Sequence, residues 1–120
     1  MFAIPKDEKG SPSFPPTLRY TAQMFFGPNW KPGVPPEFQD GIVEHLAYFL
    51  EQMKNGNVLL AGPYSSFGGA LIIFGESITT YDQALAVMQG DPWDQSKTTV
   101  FVIQGWISNP LAEEKSTVQS

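Results

Sequence analysis

Polar and apolar residues alternate along "TLRYTAQMFF", with Leu18, Tyr20, Ala22, Met24 and Phe26 on one side and Arg19, Thr21 and Gln23 on the other. A period of two predicts a half-buried strand. The next ten residues, "GPNWKPGVPP", hold four prolines and two glycines and predict a loop, in which Trp30 is costly unless it covers something. The period then changes. Phe38, Ile42, Leu46, Phe49 and Met53 recur at three- and four-residue steps, predicting a helix from about Pro36 to Asn55 with this stripe turned to the core. Pro35-Pro36 suits its start, and Gly56 its stop. "NVLLAGPY" and "FGGALIIFG" read as short apolar strands joined by a Gly/Ser turn. "TTYDQALAVMQG" reads as a second helix with a Thr80/Gln83 capping box and Gly90 as its end. "TTVFVIQGW" supplies a last strand.

The resulting order, β-α-β-β-α-β, predicts an α+β, ferredoxin-like fold: a four-stranded antiparallel sheet with two helices on one face. The later strands are apolar on both faces, with Leu59 and Leu60, Leu71 and Ile72, and Phe101 and Val102 as neighbours. A lone copy would leave a large apolar face in water. A closed homodimer packed sheet to sheet, a dimeric α/β barrel, is therefore expected. Residues 1–17, with four prolines and the cluster "KDEKG", read as an irregular N-terminal arm. Residues 18–107 read as the folded domain, and 108–120 as a polar C-terminal tail.

Composition narrows the chemistry. The chain has 120 residues, enough for one domain, and a net charge of −5 with no basic run, which argues against nucleic-acid binding. It has no cysteine, so disulfides and thiolate chemistry are excluded. With a single histidine, a zinc site is not expected, and no metal or cofactor is assigned. The N-terminal "MFAIPKDEKG" lacks the pattern of a signal peptide, and no stretch approaches the ~18 apolar residues of a membrane span, so a cytoplasmic protein without a membrane partner is expected.

The one histidine, His45, falls at the edge of the apolar stripe of the first helix, beside Tyr48 and Gln52, and Asp91 follows the end of the second. If the helices lie side by side, a carboxylate on one ring nitrogen would fix the tautomer and leave the other nitrogen for a substrate proton. The same residues also fit a hydrogen-bonded core histidine and a turn aspartate before proline. Tyr64, Ser65 and Ser66 could bond a small ligand or simply build a hairpin turn. Trp30 and Trp93 could wall a pocket or pack an interface.

Taken together, "EHLAYFLEQMKNGNVLLAGPY", "GGALIIF" and "YDQALAVMQGDPW" resemble the YCII-related family of the dimeric α/β-barrel superfamily. The matching positions are His45, Gly56, Ala61-Gly62-Pro63, Gly68-Gly69 and Asp91-Pro92-Trp93, over residues 18–107. The resemblance implies a cleft in which His45 and Asp91 form an acid/base dyad. The expected function is a cofactor-independent small-molecule enzyme of lyase, isomerase or dehalogenase type. The alternatives are a non-catalytic ligand-binding or regulatory module, or a cofactor-free monooxygenase.

Overall fold

The computed structural model describes residues 17–108. Its elements are β1 (Thr17–Phe26), a single 3-10 turn (Pro36–Phe38), α1 (Ile42–Lys54), β2 (Val58–Pro63), β3 (Ala70–Phe74), α2 (Tyr81–Gln89), α3 (Pro92–Gln95) and β4 (Thr99–Ser108). The architecture is α+β, with one open four-stranded antiparallel sheet in the order β2-β3-β1-β4. Thr21 pairs with Ile73 and Met24 with Ala70 across β1 and β3, while Leu60 pairs with Ile73 across β2 and β3. A bulge at Leu59 shifts the register of β2.

Among the described residues the chain divides into two units, Arg19–Gly105 and the strand ends Thr17–Leu18 with Trp106–Ser108. In the second unit, Ser108 Oγ donates to the Thr17 carbonyl at 3.1 Å. The expected arm (1–17) and tail (108–120) lie outside the described residues except for Thr17 and Ser108, which are strand residues.

The core of the Arg19–Gly105 unit follows from the alternation. Ala22 and Met24 of β1, Ile72 and Phe74 of β3 and Ile103 of β4 are buried together with Phe49 of α1 and Ala84, Val87 and Met88 of α2. Residues at the alternate positions stay in water: Leu60 is 59% exposed and Val102 48%. The Thr80 hydroxyl accepts from the Gln83 N–H and the Gln83 side chain reaches back to the Thr80 N–H, so the expected capping box is present.

Three expectations need correction. The first helix does not run unbroken from Pro36. A 3-10 turn comes first, then a break at Gln39–Gly41, because Gly41 takes φ +79° and the buried Gln39 side chain staples the proline-rich loop. Gln39 Nε2 donates to the Lys31 and Val34 carbonyls at 2.9 and 2.8 Å, and its Oε1 accepts from the Lys31 N–H at 2.9 Å. A continuous helix would pull that side chain out of the loop. Secondly, the apolar stripe is not packed into the core: only Phe49 of α1 is buried, while Phe38 and Leu46 are 71% and 58% exposed. Thirdly, there are three α-helices among the described residues rather than two. Asp91 and Pro92 start the short α3 as N-cap and first helical residue, so Asp91 ends no loop; it opens a helix.

Candidate functional site

α1, α3 and the β1 end of the sheet converge on His45. Its Nδ1 lies 2.8 Å from Oδ1 of Asp91, which is wholly buried. The same Oδ1 accepts the Trp93 backbone N–H at 3.0 Å, as an N-cap oxygen does. Capping therefore fixes the carboxylate, and the carboxylate fixes the ring. Trp93 completes the hold: its indole stacks on the imidazole with centroids 4.0 Å apart and planes 12° from parallel. The indole N–H is itself satisfied by the Asp40 carbonyl at 2.8 Å. Gly41, beside the indole, takes φ +79°, a left-handed conformation that glycine adopts without strain.

Asp91 Oδ2 is buried without a hydrogen-bond partner among the described residues. A carboxylate so placed perturbs its neighbours. Burial raises the Tyr48 phenol above its ordinary value near 10, and the negative charge of Asp91 raises it further. The Tyr48 hydroxyl stays protonated and donates to the Val87 carbonyl at 2.6 Å. Tyr48 thereby ties the middle of α1 to the end of α2, one turn before Asp91.

His45 borders a cavity of about 370 Å³ between α1 and the sheet. Its walls are apolar: Leu46 and Leu50 from α1, Trp30 from the loop, Phe67 from the β2–β3 turn, and Trp93. Here lies the reason for the exposed α1 stripe, for Ile42, Leu46, Leu50 and Met53 face this space rather than protein atoms. Among the lining residues His45 is the only one with an ionisable side chain. In the tautomer that gives Nδ1–H to Asp91, a neutral ring carries its lone pair on Nε2, which has no protein partner among the described residues. Such an arrangement can take a proton from a bound molecule and return it elsewhere.

Of the residues singled out in the sequence, His45, Asp91, Trp93 and Trp30 come together. Trp30 lies edge-on to Trp93 at 5.5 Å and stacks on Phe26 at 4.4 Å. Tyr64, Ser65 and Ser66 are not among the lining residues. The Tyr64 backbone and the Ser66 hydroxyl are used inside the hairpin turn instead, where Tyr64 N–H donates to Gly69 O at 2.9 Å and Ser66 Oγ accepts from Gly68 N–H at 3.2 Å. Phe67 and Tyr48 were not singled out as site residues. Phe67 sits one residue beyond the Ser pair, and Tyr48 one helical turn beyond His45. No three His, Asp, Glu or Cys side chains cluster as metal ligands would among the described residues. No helix among them is long and apolar enough to cross a membrane. Comparisons with protein families, curated proteins and solved structures found no match.

Proposed function

We propose that the chain is a cofactor-independent small-molecule enzyme of the lyase, isomerase or dehalogenating type, with His45 as its acid/base and Asp91 as the group that orients it. The observation that carries this reading is a histidine bonded at 2.8 Å to a wholly buried carboxylate while it borders an apolar cavity. A histidine needed only for packing would be satisfied by a backbone carbonyl, without a buried charge. A group held in this way in a pocket is suited to proton transfer.

The same proposal extends to the architecture. β1 and β2 both run antiparallel to β3, so they are parallel to each other and separated by it. β3 and β4 are likewise separated by β1. Two interleaved βαβ units of this kind support the ferredoxin-like reading, and with the motifs around His45 and Asp91 a YCII-like one. The apolar outer face at Leu60 and Val102 supports a homodimer.

The test of the chemistry is deuterium wash-in. The protein is incubated in D₂O with a panel of cyclic ketones and lactones bearing an acidic C–H, and exchange is followed by NMR. Exchange above the buffer rate is expected for at least one compound, falling at least about a hundredfold in His45→Gln. No acceleration across the panel, or undiminished exchange in the variant, would overturn the proposal.

A further inference from the structure

Two independent features of the cavity bear on what it holds. One is charge. No lysine, arginine, aspartate or glutamate contributes to its wall, and the chain as a whole carries −5. A phosphate, sulfonate or dicarboxylate placed there would lose its hydration and find no cation besides His45, which Asp91 already engages. The other is strain. Phe67 adopts φ +59° in the β2–β3 turn, a left-handed conformation that bulky side chains rarely take. The turn holds it there, with Phe67 N–H donating to Tyr64 O at 2.8 Å. Its ring, 61% exposed, borders the apolar cavity. Glycine would form the same turn without strain, and a polar residue would suit water better. A strained, exposed phenylalanine at a cavity's edge implies something for the ring to cover.

We infer that the cavity binds an uncharged ring molecule, aromatic or alicyclic, with Phe67 closing over it and a single polar group meeting His45 Nε2. The inference rests on the proposed site and names its substrate class. The parallel His45–Trp93 pair and the stacked Phe26–Trp30 pair give the cavity flat aromatic surfaces of the kind a ring lies against. Phe67 is a clamp that touches the ligand and takes no part in the proton transfer.

The test uses two probes that share one ring system. N-phenyl-1-naphthylamine is neutral, and 1-anilinonaphthalene-8-sulfonate adds a sulfonate. The neutral probe should bind at least about tenfold more tightly. Phe67→Gly should weaken it about tenfold, the worth of one partly buried aromatic contact. The thermal midpoint of that variant should not fall, because glycine relieves the left-handed strain. A purely structural Phe67 would not separate these two readouts. Leu46 lines the cavity and is largely exposed, so Leu46→Trp should fill part of the cavity and abolish binding while circular dichroism is unchanged. A sulfonate probe that binds as tightly as the neutral one would overturn the inference, and so would unchanged binding in either variant. If wash-in fails while the neutral probe binds in this pattern, the enzymatic reading falls and the ligand class stands. If wash-in succeeds only with charged substrates, the ligand class falls.

Discussion

Asp91 carries more duties than any other residue near the site. One oxygen caps α3 and holds His45, and the other is buried without a partner among the described residues. Removing the imidazole would leave a buried carboxylate with the Trp93 N–H alone, so His45→Leu should destabilise by about 1–3 kcal/mol. Asp91→Asn removes the charge and keeps an oxygen for the cap. The double variant should therefore cost less than the sum of the two singles, a coupling measurable by urea unfolding. Additive effects would mean that the pair is not coupled. Tyr48 offers a pH test. Its folded-state phenol titrates above the unfolded value near 10, so on raising the pH the unfolded chain loses this proton first. The stability it contributes is present below pH ~10 and is lost as the pH rises through the higher folded-state value. Tyr48→Phe should flatten the alkaline limb of the stability curve; an unchanged limb would show that Tyr48 is not its source. His45 and Tyr48 were not equally legible in the sequence. His45 stood out as the only titratable group on an apolar face. Tyr48 did not, since its role depends on a carbonyl thirty-nine positions away that no local pattern reveals.

Among the elements, periodicity located the four strands and two longer helices but misjudged what α1 faces. A stripe of Ile42, Leu46, Phe49 and Met53 records that one side of a helix leaves water. It does not record whether that side meets protein atoms or a cavity, because both are apolar surroundings. The break at Gln39–Gly41 was hidden for a related reason: it depends on the long-range staple from Gln39 to Lys31 and Val34. α3, at four residues, is too short for any period to show, although Asp91-Pro92 is a start signal. The expected close of α2 at Gly90 is present, but for steric reasons rather than left-handed backbone. Gly90 has φ −79°, open to any residue, yet a Cβ there would collide with the Tyr48 hydroxyl. Gly90→Ala should thus destabilise by about 1–3 kcal/mol despite the better helix propensity of alanine. Adding Tyr48→Phe, which removes the colliding oxygen, should recover part of that loss in thermal unfolding. No recovery would place the strain elsewhere.

For the molecule as a whole, the outer face of the sheet bears on assembly. Neighbouring apolar pairs along β2, β3 and β4 made a two-sided sheet legible from the sequence, and the structure sorts those pairs by face. Ile72, Phe101 and Ile103 turn toward the helices, while Leu60 and Val102 turn away and stay largely exposed. Stacked sheets lie about 10 Å apart, a distance that side chains of this size fill from both sides. The proposed homodimer places these outer faces together by a twofold axis, so each substitution acts twice in one interface. Leu60→Lys with Val102→Lys would bring like charges into that interface, and each lysine in water would be harmless to a monomer. The cavity lies on the opposite, helix-bearing side, bounded by α1 and by the core face of the sheet through Ile72. Separating the copies should therefore leave the cavity intact. Light scattering at micromolar concentration should give twice the 13.2 kDa chain mass for the native protein and the single mass for the double-lysine variant. That variant should keep its circular dichroism and its affinity for the neutral naphthylamine. A native monomer would sink the dimer, and a dimeric double-lysine variant would move the interface to another surface.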